Sequence, residues 1–216
     1  EGVPHNLVRH PDMPPAVFEL MWRYLKAGQS WMGVVKNRCK NGNFYWVSAY
    51  VTPILEDGRL VGYESVRVKP TREQVRRAEA LYARLRAGRS AVSLQQRLGQ
   101  VGNALAVPAL AAVVAGGAVQ WLPTGWGQAS TALLFLGLGA WAHLRLGRQL
   151  KQIVEHTPNT FSDPISAMTY SDALGPAAQL EMILISEEAR LKTALTRLSD
   201  LATQMAEAAT DSSVLS

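Results

Sequence analysis

Residues 98–144 contain no Asp, Glu, Lys or Arg, and Arg97 and Arg145 stand on either side of them. A helix rising about 1.5 Å per residue crosses a hydrocarbon layer of about 30 Å in about 20 residues, so the stretch holds two crossings joined by a tight turn. Residues 101–122 read as the outward span, Pro123-Thr124-Gly125-Trp126 as the turn and residues 129–146 as the return. The competing reading, a buried hairpin in a soluble protein, is disfavoured because an apolar run of about 10–14 residues already suffices for a core helix. The few polar side chains inside, Gln100, Asn103, Gln120, Gln128 and His143, fall mostly near the expected ends.

The flanks orient the pair. Arg84, Arg86, Arg89 and Arg97 precede it and Arg145, Arg148 and Lys151 follow it, whereas the turn is uncharged. Basic residues collect on the cytoplasmic side, so both ends are expected inside, with Trp121 and Trp126 at the outer interface and Trp141 near the inner one. The net charge of +5 has the same local source. A basic stretch abutting a span is a topology signal and a contact for anionic lipid, which leaves nucleic acid without support as a partner. Cys39 is the single cysteine, which excludes an internal disulfide and any paired-cysteine metal site. The chain opens without an initiator Met or a leader and closes within a helical pattern, so it is expected to be a piece of a longer protein.

Before the apolar stretch, Asp12-Met13-Pro14-Pro15 reads as a helix start, with Asp12 a candidate cap and the prolines tolerated in the first turn. Phe18, Met21, Trp22 and Leu25 then form one apolar face, and Gly28 marks the stop. Trp22 on that face is expected in the core. Three strand-like runs follow, at 31–38, 43–55 and 59–69. Lys40-Asn41-Gly42 and Glu56-Asp57-Gly58 supply the tight turns between them, which predicts a three-stranded antiparallel meander. Thr71-Arg72-Glu73-Gln74 fits a capping box opening an amphipathic connector helix at 71–97.

These residues also carry a resemblance. His5-Asn6-Leu7-Val8-Arg9-His10-Pro11-Asp12-Met13-Pro14, then Trp31-Met32-Gly33, then Lys36-Asn37-Arg38-Cys39-Lys40-Asn41-Gly42-Asn43-Phe44-Tyr45-Trp46 together resemble the PAS domain of bacterial aerotaxis receptors, a branch of the methyl-accepting chemotaxis proteins. The resemblance implies an α+β PAS-like domain at 1–70 that lacks its first strands, and a transmembrane hairpin at 98–147 without a large external domain. It also implies a non-covalently held flavin adenine dinucleotide (FAD) that reports the redox state of the respiratory chain. The positions that match are His5, Arg9, His10, Asp12, Trp31 and Asn37. Arg9 and His10 suit a pyrophosphate or ribityl chain and Trp31 an isoalloxazine face. Asn37 presents donor and acceptor at one tip, so it can answer a ring nitrogen that changes from acceptor to donor on reduction. Read without the resemblance, Arg9 and His10 are a solvated loop. Cys39 departs from the family pattern, which places a basic residue there.

Beyond the hairpin, residues 148–190 resemble a HAMP-like linker, although Asp172-Ala173-Leu174-Gly175 stands where such linkers carry Asp-Glu-x-Gly. Leu184, Leu191, Leu195, Leu198, Ala202, Met205 and Ala209 mark the seam of a signalling coiled coil at 191–216, interrupted by Glu188. Such a seam needs a partner, so a homodimer is expected. The resemblance implies control of a chemotaxis histidine kinase, through a coupling protein and a signalling tip outside this sequence, with no catalytic residue and no metal. The alternatives are the same sensor on a histidine kinase or cyclic-dinucleotide synthase, and a PAS domain holding haem through His5 or His10 or holding a small metabolite. No phosphate-binding glycine loop is present, and His156 meets Thr157-Pro158, which ends its helix.

Overall fold

The computed structural model describes residues 8–56, 58–118, 125–157 and 160–214. His5, Trp121 and the Pro123-Thr124 half of the expected turn lie outside the described residues. Helix α1 (Pro15–Lys26) leads into strands β1 (Trp31–Arg38), β2 (Phe44–Glu56) and β3 (Arg59–Val68). These form an antiparallel sheet in the order β1-β2-β3, with Trp31 opposite Val51, Asn37 opposite Tyr45 and Ala49 opposite Arg67. The expected meander is present, and its strands start within a residue of where the Asn-Gly and Asp-Gly turns put them.

Helix α1 begins two residues after the expected position, and its N-cap is Pro14, without a side-chain cap. Asp12 is not the cap because its carboxylate is taken elsewhere. Lys36 Nζ lies 2.6 Å from Asp12 Oδ2. The helix stops where Gly28 takes φ 73°, a left-handed conformation that suits glycine. Helix α2 (Arg72–Arg86) opens with the complete capping box: Gln74 N–H donates to Thr71 Oγ1 at 3.2 Å, and Thr71 N–H donates to the Gln74 side chain at 2.9 Å.

The period of two along each strand divides the sheet into two faces. On one, Trp31, Gly33, Val35, Val47, Ala49 and Val51 meet Phe18, Met21 and Leu25 of α1. On the other, Val34, Trp46 and Ser48 meet α2 and two helices from the far end of the chain, α5 (Pro164–Tyr170) and α6 (Pro176–Val214). One core thus joins the N-terminal sheet to residues beyond the apolar pair: Leu81 and Tyr82 share it with Phe161, Ala167, Tyr170 and Met182.

Between these parts run α3 (Leu94–Ala118) and α4 (Gly125–Glu155), packed against each other. Both are long and apolar enough to cross a membrane, with windows at Leu94–Val114 and Ala129–Glu155. Their apolar side chains face outward: Val107, Leu110, Val113, Leu133 and Leu134 are all exposed, as a lipid-facing surface requires. At 31 residues α4 is about 46 Å long, more than a hydrocarbon core of about 30 Å needs, and Arg148 and Lys151 lie toward its C-terminal end. The helix continues past the expected span to Glu155, just before Thr157. Pro108 lies inside α3, and Gly139 of α4 passes against its ring: a Cβ on Gly139 would fall 2.0 Å from Pro108 Cγ.

Candidate ligand site

The α1-facing side of the sheet encloses a cavity of about 370 Å³, within the range of small-molecule sites. Its apolar wall comes from Phe18, Met21 and Leu25 of α1 and from Val35, Val47, Ala49 and Val51 of the sheet. Trp22 also lines it, meeting Tyr63 edge-on at 5.4 Å between ring centroids, so this residue is wall as well as helix face. Trp31 is 1% exposed and lies over Gly33, where any Cβ would fall 2.4 Å from Trp31 Cζ2. Glycine at 33 is therefore what allows the indole to lie flat on the sheet. The indole Nε1 is buried and has no hydrogen-bond partner among the described residues. A donor stranded in this way costs about 1–3 kcal/mol, which a ligand acceptor would relieve.

Asn37, 6% exposed, lies on the same face of β1 and lines the same cavity. Arg9 pairs with Asn37 through an isolated backbone bridge, stacks its guanidinium 4.3 Å above the Phe18 ring and donates to the Met13 carbonyl at 3.1 Å. It stands behind a wall residue and does not itself line the cavity. Trp31 and Asn37 are thus brought together in the cavity, with Arg9 behind its Phe18 wall.

His10 and Asp12 are not. They form a clasp on the edge of the sheet with Lys36, whose side chain points to the opposite face. Lys36 Nζ reaches Asp12 and lies 4.0 Å from the Phe44 ring centroid, and Arg86 of α2 donates to the Asp12 carbonyl. The hydrogen bond from Lys36 holds the Asp12 carboxyl below its usual range. His10 Nδ1 accepts from the Asp12 N–H at 3.1 Å, and a nitrogen that accepts there does not also donate to the carboxylate 3.4 Å away. The two residues fix the loop that carries Arg9.

Sequence reasoning missed the third strand's contribution. Tyr63, Ser65 and Arg67 alternate onto the cavity face. The signal lies in the period of two, although Arg67, Lys69 and Arg72 also read as one basic run.

On the opposite face lies a polar junction with α2 and α5. The Ser48 and Tyr170 hydroxyls are 2.7 Å apart, Tyr82 donates to the Val34 carbonyl at 2.6 Å, and Arg77 donates to the Thr169 and Tyr170 carbonyls and to Asp172. Burial pushes the Tyr82 and Tyr170 hydroxyls upward, so both stay protonated at neutral pH. Glu64 of β3 pairs with Arg197 of α6. His156 lies just past the end of α4 with Nδ1 donating to the Gln152 carbonyl at 2.7 Å, a helix-terminal contact.

Residues 2–67 match the family of the PAS fold. The aerotaxis receptor of Escherichia coli (strain K12) is 48% identical over 98 residues, which is 45% of this chain and 19% of the receptor. The chain therefore spans about a fifth of the length of that curated relative. Among solved structures, the dark structure of the blue-light photoreceptor Aureochrome1 LOV is similar with a TM-score of 0.32 and 16% identity, covering 40% of this chain and 60% of that one.

Proposed function

Taking as premise that residues 2–67 form a PAS domain of the aerotaxis-receptor kind, we propose that the chain is the sensing and membrane-anchoring part of an energy-taxis receptor. In this reading it is a homodimeric transducer rather than an enzyme. It lies in the inner membrane with both ends cytoplasmic and controls a chemotaxis histidine kinase through a coupling protein. Residues 71–97 connect the sensor to the hairpin, 148–190 act as a HAMP-like linker and 191–216 begin the signalling coiled coil. The observation that carries the reading is the 48% identity to the aerotaxis receptor.

The cavity fits a flat, largely apolar ring system with acceptor atoms on its edge: it has the volume, the apolar walls and a stranded indole N–H. FAD is the group proposed, held by its ring portion in the cavity; when bound it supplies a reversible redox couple. Trp31 donates its N–H and packs its ring, and Asn37 offers the amide that responds to a change of donor and acceptor. Arg9, behind the Phe18 wall, is assigned to an anionic tail, with His5 in the same loop. His10 and Asp12 act through Lys36 as positioning residues. Any shift of β1 is felt on the other face through the Val34 carbonyl and Ser48, where α2 and α5 dock. A tenfold shift in that docking needs about 1.4 kcal/mol, within reach of one or two rearranged hydrogen bonds.

The absorption spectrum of the purified full-length protein tests the cofactor. Flavin bands support this reading, a Soret band replaces it with haem, and a featureless visible spectrum removes both. In the complete receptor, Asn37→Ala is expected to keep some flavin and blunt the response to oxygen, and undiminished aerotaxis would remove the relay.

A further inference from the structure

Among the described residues lining the cavity, Arg67 is the single charged one, and none is a carboxylate. It lies on β3 opposite Ala49, on the face shared by Trp31 and Asn37. Its Nε donates to Ser65 Oγ at 3.3 Å, one residue pair along the same strand and face. No ion pair to a described carboxylate engages it, which leaves the fork of its guanidinium free to meet a ligand. The wall is therefore rich in donors: a buried indole N–H without a partner, a guanidinium, and the hydroxyls and amide of Ser65, Tyr63 and Asn37. An acceptor-rich, electron-rich ring edge satisfies such a wall, and a cationic ligand does not.

We propose that Arg67 is a ligand-binding residue of this site that favours the more negatively charged state of the bound ring and so sets its reduction potential. The inference rests on the flavin reading above. Uptake of two electrons and one proton leaves the ring one charge more negative. A fixed guanidinium facing it therefore binds the reduced state better than the oxidised one. Arg67 is exposed on the open side of the cavity, so water screens it, and the expected preference is about tenfold rather than many orders of magnitude.

The test uses full-length protein in lipid nanodiscs, with flavin content read by absorbance and the midpoint potential read by titration with dithionite as electron donor. Arg67→Gln is expected to lower the potential by about 30 mV, the equivalent of a tenfold change for a two-electron couple. Arg67→Lys, which keeps the charge, should recover most of that shift. Should Arg67→Gln lose its flavin while remaining folded by circular dichroism, FAD is titrated back into both variants, and at least tenfold tighter binding by Arg67→Lys supports the role of charge. A potential unmoved in Arg67→Gln, or equal loss of FAD from both variants, overturns the role of Arg67 and leaves the flavin reading standing. Unaltered protein that carries no flavin overturns both.

Discussion

Removing the Tyr170 hydroxyl should loosen the hold of the sheet on the membrane-proximal helices by an amount the structure allows to be calculated. Ser48 and Tyr170 are 3% and 6% exposed, and their hydroxyls lie 2.7 Å apart. Tyr170→Phe strands the Ser48 hydroxyl in an interior that water does not reach, at a cost of about 1–3 kcal/mol. Arg77 still grips the Thr169 and Tyr170 carbonyls, so the helix is expected to open locally and not to leave the sheet. Opening free energy sets amide exchange in the native state, and about 1.4 kcal/mol corresponds to tenfold faster exchange over residues 164–171. Ser48→Ala strands the tyrosine in the same way. In the double variant no polar group is left unpaired, and most of the loss should return. Hydrogen exchange of the four proteins in lipid decides this. Losses that simply add in the double variant, or single variants that exchange at the original rate, would refute the claim that this bond couples sheet to helix.

Three further outcomes are expected. Asp163 caps α5 through the Ile165 and Ser166 N–H groups, yet burial, the largest influence, raises its carboxyl above the usual range. The protonated form is thus favoured in the fold, and stability from this group is lost as pH rises through the folded value. Asp163→Asn keeps the cap and should be at least as stable at pH 7, whereas Asp163→Ala should lose about 1 kcal/mol; equal thermal melts for the two variants would remove the argument. Gly33→Ala places a methyl group 2.4 Å from the buried Trp31 ring, so it should destabilise the domain by about 1–3 kcal/mol in chemical denaturation. Gly139→Leu drives into Pro108 and should reduce cysteine cross-linking between α3 and α4, while Gly137→Leu, which meets open space, should not; equal effects would show that this contact does not hold the pair.

Features set by neighbours in sequence were legible in advance. The capping box of α2 needs only Thr71 and Gln74, and the β1–β2 turn needs only Asn41 and Gly42. Trp31 and Asn37 share a face because six residues is an even number of steps along a strand. What escaped was set at a distance. Asp12 looks like a cap until Lys36, far along the chain, claims its carboxylate. His10 and Asp12 share a loop with Arg9 but not a face, because Lys36 draws them toward the other side of the sheet. Arg67 was hidden by the company of other basic residues, although Tyr63 and Ser65 carry its periodicity. Nothing in the local sequence around Tyr170 announces Ser48, since the apolar pair of helices lies between them.

Helix α6 shows how one element serves two partners. Ala178, Met182, Ser186 and Thr193 are buried on its own domain's side, and Arg197 extends that side to Glu64. Leu184, Leu191, Leu195, Leu198 and Met205 lie on another stripe and are 63–74% exposed, wide open to a second copy. The two stripes do not compete, because residues 186 and 193 are a heptad apart and fall between the seam positions of 184, 191 and 198. In the proposed homodimer each PAS domain therefore rides on the outside of the helix pair and keeps its grip while the seam is closed. A change in that grip acts on the helix from the side, through Tyr170, Arg77 and Arg197, without first breaking the dimer. This placement explains why a sensor attached on the near side of the hairpin does not need the hairpin itself as its conduit: the shared core reaches the linker and α6 directly. In the proposed topology the apolar helices hold sensor and output at one surface, which would keep their mutual concentration high and let a modest hydrogen-bond change decide between docked and loosened states.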